Sequence, residues 1–195
     1  MQIDLDLLFT WGAIAKEYKK GEVIFNENEM ANFYYQIIDG NVKMFNSNDE
    51  GKEFTQGYFN VGNSFGEPPL FINEIYPSTA VAFHESKIVK LSKEKFIKIL
   101  DEYPVIQKQF LELMCKRILS KSKATTAIIN QKPEYRIMAF LNAHKKINSD
   151  QKEKVPFTRQ EIANFTGLRV ETVIRAFSKM RAQDKVEIVR HKIFY

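Results

Sequence analysis

The stretch from Thr158 to Arg175, TRQEIANFTGLRVETVIR, constrains the fold of this chain most. Thr158 is suited to cap a helix, and Glu161 three residues later completes a capping-box pattern. Ile162, Ala163 and Phe165 give that helix an apolar side. Gly167 then supplies a residue that tolerates positive φ between two helices. The second helix opens with Arg169, Val170, Glu171 and Thr172, and Arg175 follows Glu171 by four residues. This pattern predicts a helix-turn-helix whose second helix carries side chains able to reach base edges and phosphates.

The charge distribution supports that reading. From Gln131 to Tyr195 there are 14 Lys and Arg against 7 Asp and Glu, a charge of +7. The rest of the chain, with 15 basic and 17 acidic residues, carries −2, so the total is +5. A basic third beside a slightly acidic body suggests a nucleic-acid module joined to something else. A charge run usually marks only a solvated face, so the motif and not the charge carries the inference.

No apolar run is long enough to span a bilayer, and Met1–Tyr18 lacks a basic n-region. The sequence therefore predicts a cytoplasmic protein with no membrane partner. Cys115 is the only cysteine. It allows no internal disulfide and cannot alone hold zinc or an iron–sulfur cluster, which fits a reducing setting.

Upstream the pattern changes from helical to β. Leu5 to Tyr18 reads as a short amphipathic helix with Leu5, Leu8, Phe9 and Ile14 on its apolar side. From Gly21 to about Leu91, short β-rich runs alternate with turn residues: Val23–Phe25, Phe33–Ile38, Val42–Phe45, Phe54–Phe59, Ala80–Phe83 and Ile88–Leu91. Asp39-Gly40 and Glu50-Gly51 supply turn positions between them. Such spacing predicts a small antiparallel barrel or sandwich. Ser92 to Leu100 reads as a helix that Ser92 can cap, and Pro104 is placed to start a much longer one, to about Asn130.

In that long helix Leu111, Cys115, Ile118, Ser122, Thr125 and Ile129 step by four and three, which is a heptad seam suited to a second copy of the same helix. Phe110, Leu113 and Met114 remain to pack on the β domain; the simpler alternative is that the whole stripe packs there. Ser122 and Thr125 put a polar layer in the seam. Gln131-Lys132-Pro133 breaks the helix. Glu134 to Asn148 reads as a further helix with Ile137, Phe140, Leu141 and Ile147 inward, and Asn148 to Pro156 as a loop. Lys185 to Tyr195 reads as a hairpin, or wing, with the basic tip Arg190-His191-Lys192. The predicted class is α+β: an N-terminal antiparallel, jelly-roll-like β-roll, a long dimerisation helix, and a C-terminal winged helix-turn-helix. The expected domains are residues 1–130, including the helix at about 104–130, and residues 131–195.

This order of elements resembles the CRP/FNR family of bacterial transcription regulators over nearly the whole chain. Gly40-Asn41-Val42-Lys43, Asp49-Glu50-Gly51-Lys52-Glu53 and Gly62-Asn63-Ser64-Phe65-Gly66-Glu67 look like the family's β-roll leading into its phosphate-binding cassette. Thr158 to Arg175 looks like its DNA-binding motif. The resemblance implies a regulator, not an enzyme, that forms a homodimer. Its implied partners are double-stranded DNA at a near-palindromic operator and RNA polymerase. No catalytic grouping emerges from three histidines and one cysteine.

The family's cassette would place Gly66, Glu67, Ser78, Thr79 and Ser122 in a candidate effector pocket. The cAMP-binding members have Arg-Ser before Ala; here the matching run is Pro77-Ser78-Thr79-Ala80. Proline removes the positive charge and a backbone donor, and a buried cyclic phosphate without a counter-charge is poorly held. The reading is therefore a degenerate or altered pocket with no cofactor. The alternative is a regulator that binds cAMP or cGMP, a cyclic nucleotide, despite the missing arginine. Pro68-Pro69 also disturbs the short helix expected after Glu67. The oxygen-sensing members hold an iron–sulfur cluster with N-terminal cysteines that this chain lacks, and His84 reads as a surface residue rather than a haem ligand. Glu171 would accept from a cytosine amino group and Arg175 donate to guanine or phosphate. Thr158, Arg159, Arg169 and Lys179 are better placed for backbone contacts. A second reading keeps the helix-turn-helix for protein contact only, against which the basic third speaks.

Overall fold

The computed structural model describes residues 2–129, 132–144 and 153–195. The chain divides into two compact units, Met1–Arg117 and Ile118–Tyr195.

In the first unit two antiparallel four-stranded sheets are built from strands distant in sequence. One has the order β1 (Ile14–Tyr18), β8 (Ser86–Ser92), β3 (Phe33–Asp39), β6 (Ser64–Phe65). The other runs β2 (Val23–Phe25), β7 (Thr79–Ala82), β4 (Asn41–Ser47), β5 (Glu53–Asn60). The chain passes from one sheet to the other at Gly40, whose φ is +82°. A Cβ there would lie 2.3 Å from the Glu85 carbonyl oxygen, so only glycine fits.

Strand β3 separates two packed layers, because successive side chains point to opposite faces. Tyr35 meets Phe25 and Phe65 between the sheets, with ring centroids 5.6 and 5.5 Å apart. Tyr34 turns the other way, stacks on Phe96 of α3 (Lys93–Glu102) at 4.6 Å and meets Phe110 of α4 (Pro104–Ile129) edge-on. Gln36 is fully buried but satisfied: its amide exchanges hydrogen bonds with the backbone of Ile3, and it accepts from the Tyr34 hydroxyl.

Several expectations need correction. The first helix, α1, is only Leu5–Thr10, capped by Asp4. It stops before Gly12 at φ +81°, and Ile14–Tyr18 forms β1, paired along its length with β8. Ile14 is exposed rather than part of an apolar helical side. The two-residue strand β6 was not expected. Pro68-Pro69 does not prevent a helix: α2 spans Pro68–Ile72, with the prolines in its first two positions, where no intrahelical N–H bond is lost. Ser92 sits at the N-cap of α3 but its side chain makes no capping bond.

Along α4, Phe110 is buried and Leu113 packs on the core of the first unit. The expected seam faces outward: Leu111 is 65% and Ile118 66% exposed, and Cys115, Ser122 and Thr125 are exposed as well. The hydroxyl of Thr125 donates to the Lys121 carbonyl. The side chain of Ile129 lies outside the described residues.

The second unit contains α5 (Pro133–His144), α6 (Arg159–Thr166), α7 (Val170–Ala182) and the hairpin β9 (Glu187–Val189)–β10 (Lys192–Phe194). Its core joins Ile137, Phe140 and Leu141 of α5 to Ile162, Val173, Phe177 and Met180, with Val186 and Ile193 of the hairpin. Ile147 and most of the predicted 148–156 loop lie outside the described residues. Lys154 and Phe194 form an isolated antiparallel bridge beside the hairpin.

Candidate nucleic-acid interface and effector pocket

The turn between α6 and α7 is fixed by local chemistry. Thr158 accepts from the Glu161 N–H at 3.2 Å, and the Glu161 carboxylate accepts from the Thr158 N–H at 2.5 Å, so two end donors are satisfied reciprocally. Gly167 closes α6 at φ +67°. Arg169 occupies the N-cap of α7 without a side-chain capping bond.

The buried face of α7 is Val173, Ala176, Phe177 and Met180. That spacing leaves Arg169, Glu171, Arg175 and Lys179 exposed. Glu171 and Arg175 lie one helical turn apart, yet do not pair with each other; neither side chain has a hydrogen bond or ion pair with a described residue. The same holds for the side chain of Arg169. Val170 and Thr172 are half-buried, Val170 against the core of the unit.

Two cations are engaged in ways the sequence did not reveal. Lys179 pairs with Glu134 of α5 at 2.7 Å, and this hydrogen bond holds the Glu134 carboxyl below its ordinary range. Arg159 donates to the His191 carbonyl at 3.2 Å, tying the start of α6 to the hairpin tip. At that tip both Arg190 (φ 45°) and His191 (φ 64°) are left-handed, joining the paired residues Val189 and Lys192.

In the first unit, the residues of the expected cassette form a tight, mostly buried corner. Gly66 has φ +73°, and a Cβ there would lie 2.9 Å from the Phe25 ring. Glu67 is fully buried. It is not free: Arg117 of α4 donates to Glu67 Oε2 at 2.7 Å and to the Ser64 carbonyl at 2.7 Å, with its guanidinium over the Phe59 ring. Ser78 is buried, and the Thr79 hydroxyl accepts from the Glu27 N–H at 3.0 Å. The Pro77 carbonyl accepts from Asn46. Ser122 is exposed and belongs to the second unit.

Arg117 was missed by the sequence reading. A signal existed: it continues the inward stripe Phe110, Leu113, Met114, so a cation falls on an otherwise apolar helix side. His84 is exposed and hydrogen-bonds Asn41. Among the described residues, no group of three or more His, Cys, Asp or Glu is placed to hold a metal, and no helix is long and apolar enough to cross a membrane.

Comparison with known proteins agrees with this division. Residues 15–103 match the family described as cyclic nucleotide-binding domain, and residues 135–194 match the Crp-like helix-turn-helix domain. The transcriptional activator protein anr of Pseudomonas aeruginosa is 25% identical over 183 residues, covering 91% of this chain and 75% of that protein. The nitrogen fixation regulation protein FixK of Bradyrhizobium diazoefficiens is 20% identical over 177 residues, 88% of this chain and 73% of that one. Among solved structures, the c-di-GMP-responsive regulator CLP of Xanthomonas campestris aligns with a TM-score of 0.81 at 20% identity, covering 97% of this chain and 96% of that one. A CooA mutant from Carboxydothermus hydrogenoformans also gives a TM-score of 0.81, at 17% identity, covering 97% and 84%. With both domain types present in this order, the chain belongs to the CRP/FNR family of transcription regulators.

Proposed function

We propose that this regulator works as a homodimer that reads a near-palindromic DNA operator through α7, with an effector pocket altered from the cyclic-nucleotide type. Residues 1–130 are its sensory domain with the dimerisation helix, and residues 131–195 its DNA-binding domain. RNA polymerase is the proposed protein partner, and the cytoplasm the proposed location.

The observation that carries the DNA reading is the pairing state of α7. Glu171 and Arg175 stand exposed one turn apart with no partner among the described residues. In a major groove, Glu171 accepts from a cytosine amino group and Arg175 donates to guanine. Thr158, Arg159, Arg169 and Lys179 supply contacts to phosphates, which position the helix without specifying sequence. Val170 and Thr172 flank this face at its N-terminal end, the part of a recognition helix that meets base edges.

Two observations support an altered pocket. Pro77 brings neither charge nor N–H to the place where a cyclic phosphate needs both. Glu67, the candidate carboxylate for a ribose, is already held by Arg117.

Selection from random DNA tests the assignment. Wild type should yield two half-sites about one DNA turn apart. Arg175→Ala should flatten preference at one base pair of each half-site, a loss of about 1–3 kcal/mol of discrimination. A featureless wild-type consensus, or the same consensus for the variant, would overturn it.

A further inference from the structure

Helix α7 carries two opposite stripes. Val173, Ala176, Phe177 and Met180 are buried in the core of the second unit. Glu171, Ile174, Arg175 and Ser178 are exposed. These four stand at i, i+3, i+4 and i+7, so they share one side of the helix. Glu171, Arg175 and Ser178 are polar, as a solvated side requires. Ile174 is not: it is 45% exposed and lies outside the core that takes Val170 and Val173.

A single exposed aliphatic side chain is ordinary on a protein surface. The surroundings of this one are not. Ile174 is next to Arg175 and one turn from Glu171, and neither of those has a hydrogen bond or ion pair with a described residue. Ser178, one turn further on, donates to the Ile174 carbonyl at 3.2 Å, so its hydroxyl proton is turned toward the helix backbone. The outward chemistry of this stretch is therefore an anion, a cation and a patch of methyl groups. Isoleucine is branched at Cβ and keeps close to one χ1 rotamer in a helix. Its methyl groups are thus set relative to Glu171 and Arg175 beforehand, and little side-chain freedom is lost when they are covered.

We propose that Ile174 selects a thymine in each half-site by covering its 5-methyl group. This rests on the reading in which α7 enters the major groove. There the thymine methyl is the apolar group on the base-pair edges, which otherwise present hydrogen-bond donors and acceptors. An aliphatic side chain gains by covering a methyl, and it loses by stripping water from an amino group or carbonyl it cannot bond. Ile174 therefore favours thymine and disfavours cytosine at one position. The register follows from helix geometry. Ile174 is three residues beyond Glu171, about 4.5 Å of helix rise, against about 3.4 Å between successive bases of one strand. Its thymine accordingly neighbours the base pair that Glu171 and Arg175 read. Those two side chains alone specify G·C pairs, and Ile174 adds an A·T pair.

Deoxyuridine in place of thymidine removes this methyl and keeps the hydrogen-bonding edge. Fluorescence anisotropy of the full chain on its selected operator, with thymines replaced one at a time by deoxyuridine, tests the proposal. One position in each half-site should respond. Loss of that methyl should weaken wild type about fourfold in one half-site and about fifteenfold when both are changed. Ile174→Ser should bind the thymine and uracil operators alike, and Ile174→Val should keep the difference at reduced size. Both variants should retain the wild-type circular dichroism spectrum, because the side chain lies outside the core. The proposal is overturned if no thymine methyl matters to wild type, or if Ile174→Ser loses the same factor as wild type. A wild type that selects no operator overturns the α7 reading as well, whereas an operator with no methyl-dependent position overturns this proposal alone.

Discussion

Arg117 and Glu67 join the long helix to the cassette through a single guanidinium, which binds the Glu67 carboxylate and the Ser64 carbonyl at 2.7 Å each. Glu67 is fully buried, and its other oxygen, Oε1, has no partner. Its charge is therefore balanced by Arg117, whose side chain keeps 27% exposure. Removing one member of such a pair leaves a buried charge and costs about 3–5 kcal/mol, with the lower end expected for a partly exposed arginine. Arg117→Met should thus lower stability by about 3 kcal/mol. Adding Glu67→Gln should restore much of the loss, because an amide needs no counter-charge. Urea unfolding of the two variants checks this; a double variant no more stable than Arg117→Met would show that charge balance is not what Arg117 provides.

Burial raises the hydroxyl pKa of four tyrosines in the same unit, Tyr18, Tyr34, Tyr35 and Tyr76. Tyr76 is pushed up to about 12, and Tyr34 and Tyr35 are raised further, in each case chiefly because their surroundings disfavour a phenolate. In the unfolded chain these groups ionise near 10.0. Their folded pKa values lie above that, so the stability they confer is complete below pH 10 and drains away as pH rises toward 12 and beyond. Tyrosinate absorbance should therefore grow in a cooperative step that coincides with loss of β-sheet circular dichroism. A gradual titration of all tyrosines centred at pH 10 with the sheet signal intact would contradict this.

Legibility from sequence followed the range of the interactions. The helix-turn-helix could be read because its signals are local: Thr158 and Glu161 form the capping box, and Gly167 adopts the left-handed turn. Strand β1 could not be read, because its partner β8 lies some seventy residues away and Ile14–Tyr18 has no strong pattern of its own. Gly12 was the overlooked local clue that the first helix ends. Glu67 looked available for a ligand because its partner is fifty residues along the chain. Lys179 likewise looked free until α5 brought Glu134 beside it.

The outward face of α4 predicts the oligomeric state. Leu111, Ile118 and Leu119 are each more than 60% exposed, an unusual density of large apolar side chains on one helix. Burial against a second copy would stabilise by about 1.5–3 kcal/mol for each side chain fully covered. Ile118→Asp would instead place two carboxylates in the seam, and should convert a dimer to a monomer in sedimentation equilibrium. A variant that sediments like wild type would rule out this face as the contact.

The wing tip holds two residues in a conformation their side chains disfavour. A two-residue hairpin loop of this twist needs positive φ at both positions, which Asn-Gly meets at little cost. Here Arg190 and His191 occupy them, at about 1–2 kcal/mol each for a left-handed residue with a Cβ. Both side chains are exposed, so burial does not compensate. Strain at an exposed basic tip is consistent with a contact made outside the protein, and the neighbouring Arg159, bound to the His191 carbonyl, places the tip next to the start of α6. Replacing Arg190-His191 by Asn-Gly keeps that carbonyl and relieves the strain. The double variant should unfold at higher temperature, gaining about 1–3 kcal/mol, yet bind all DNA sequences more weakly and with a salt slope smaller by about one. Higher stability with unchanged DNA affinity and salt dependence would mean that the tip does not touch the phosphate backbone.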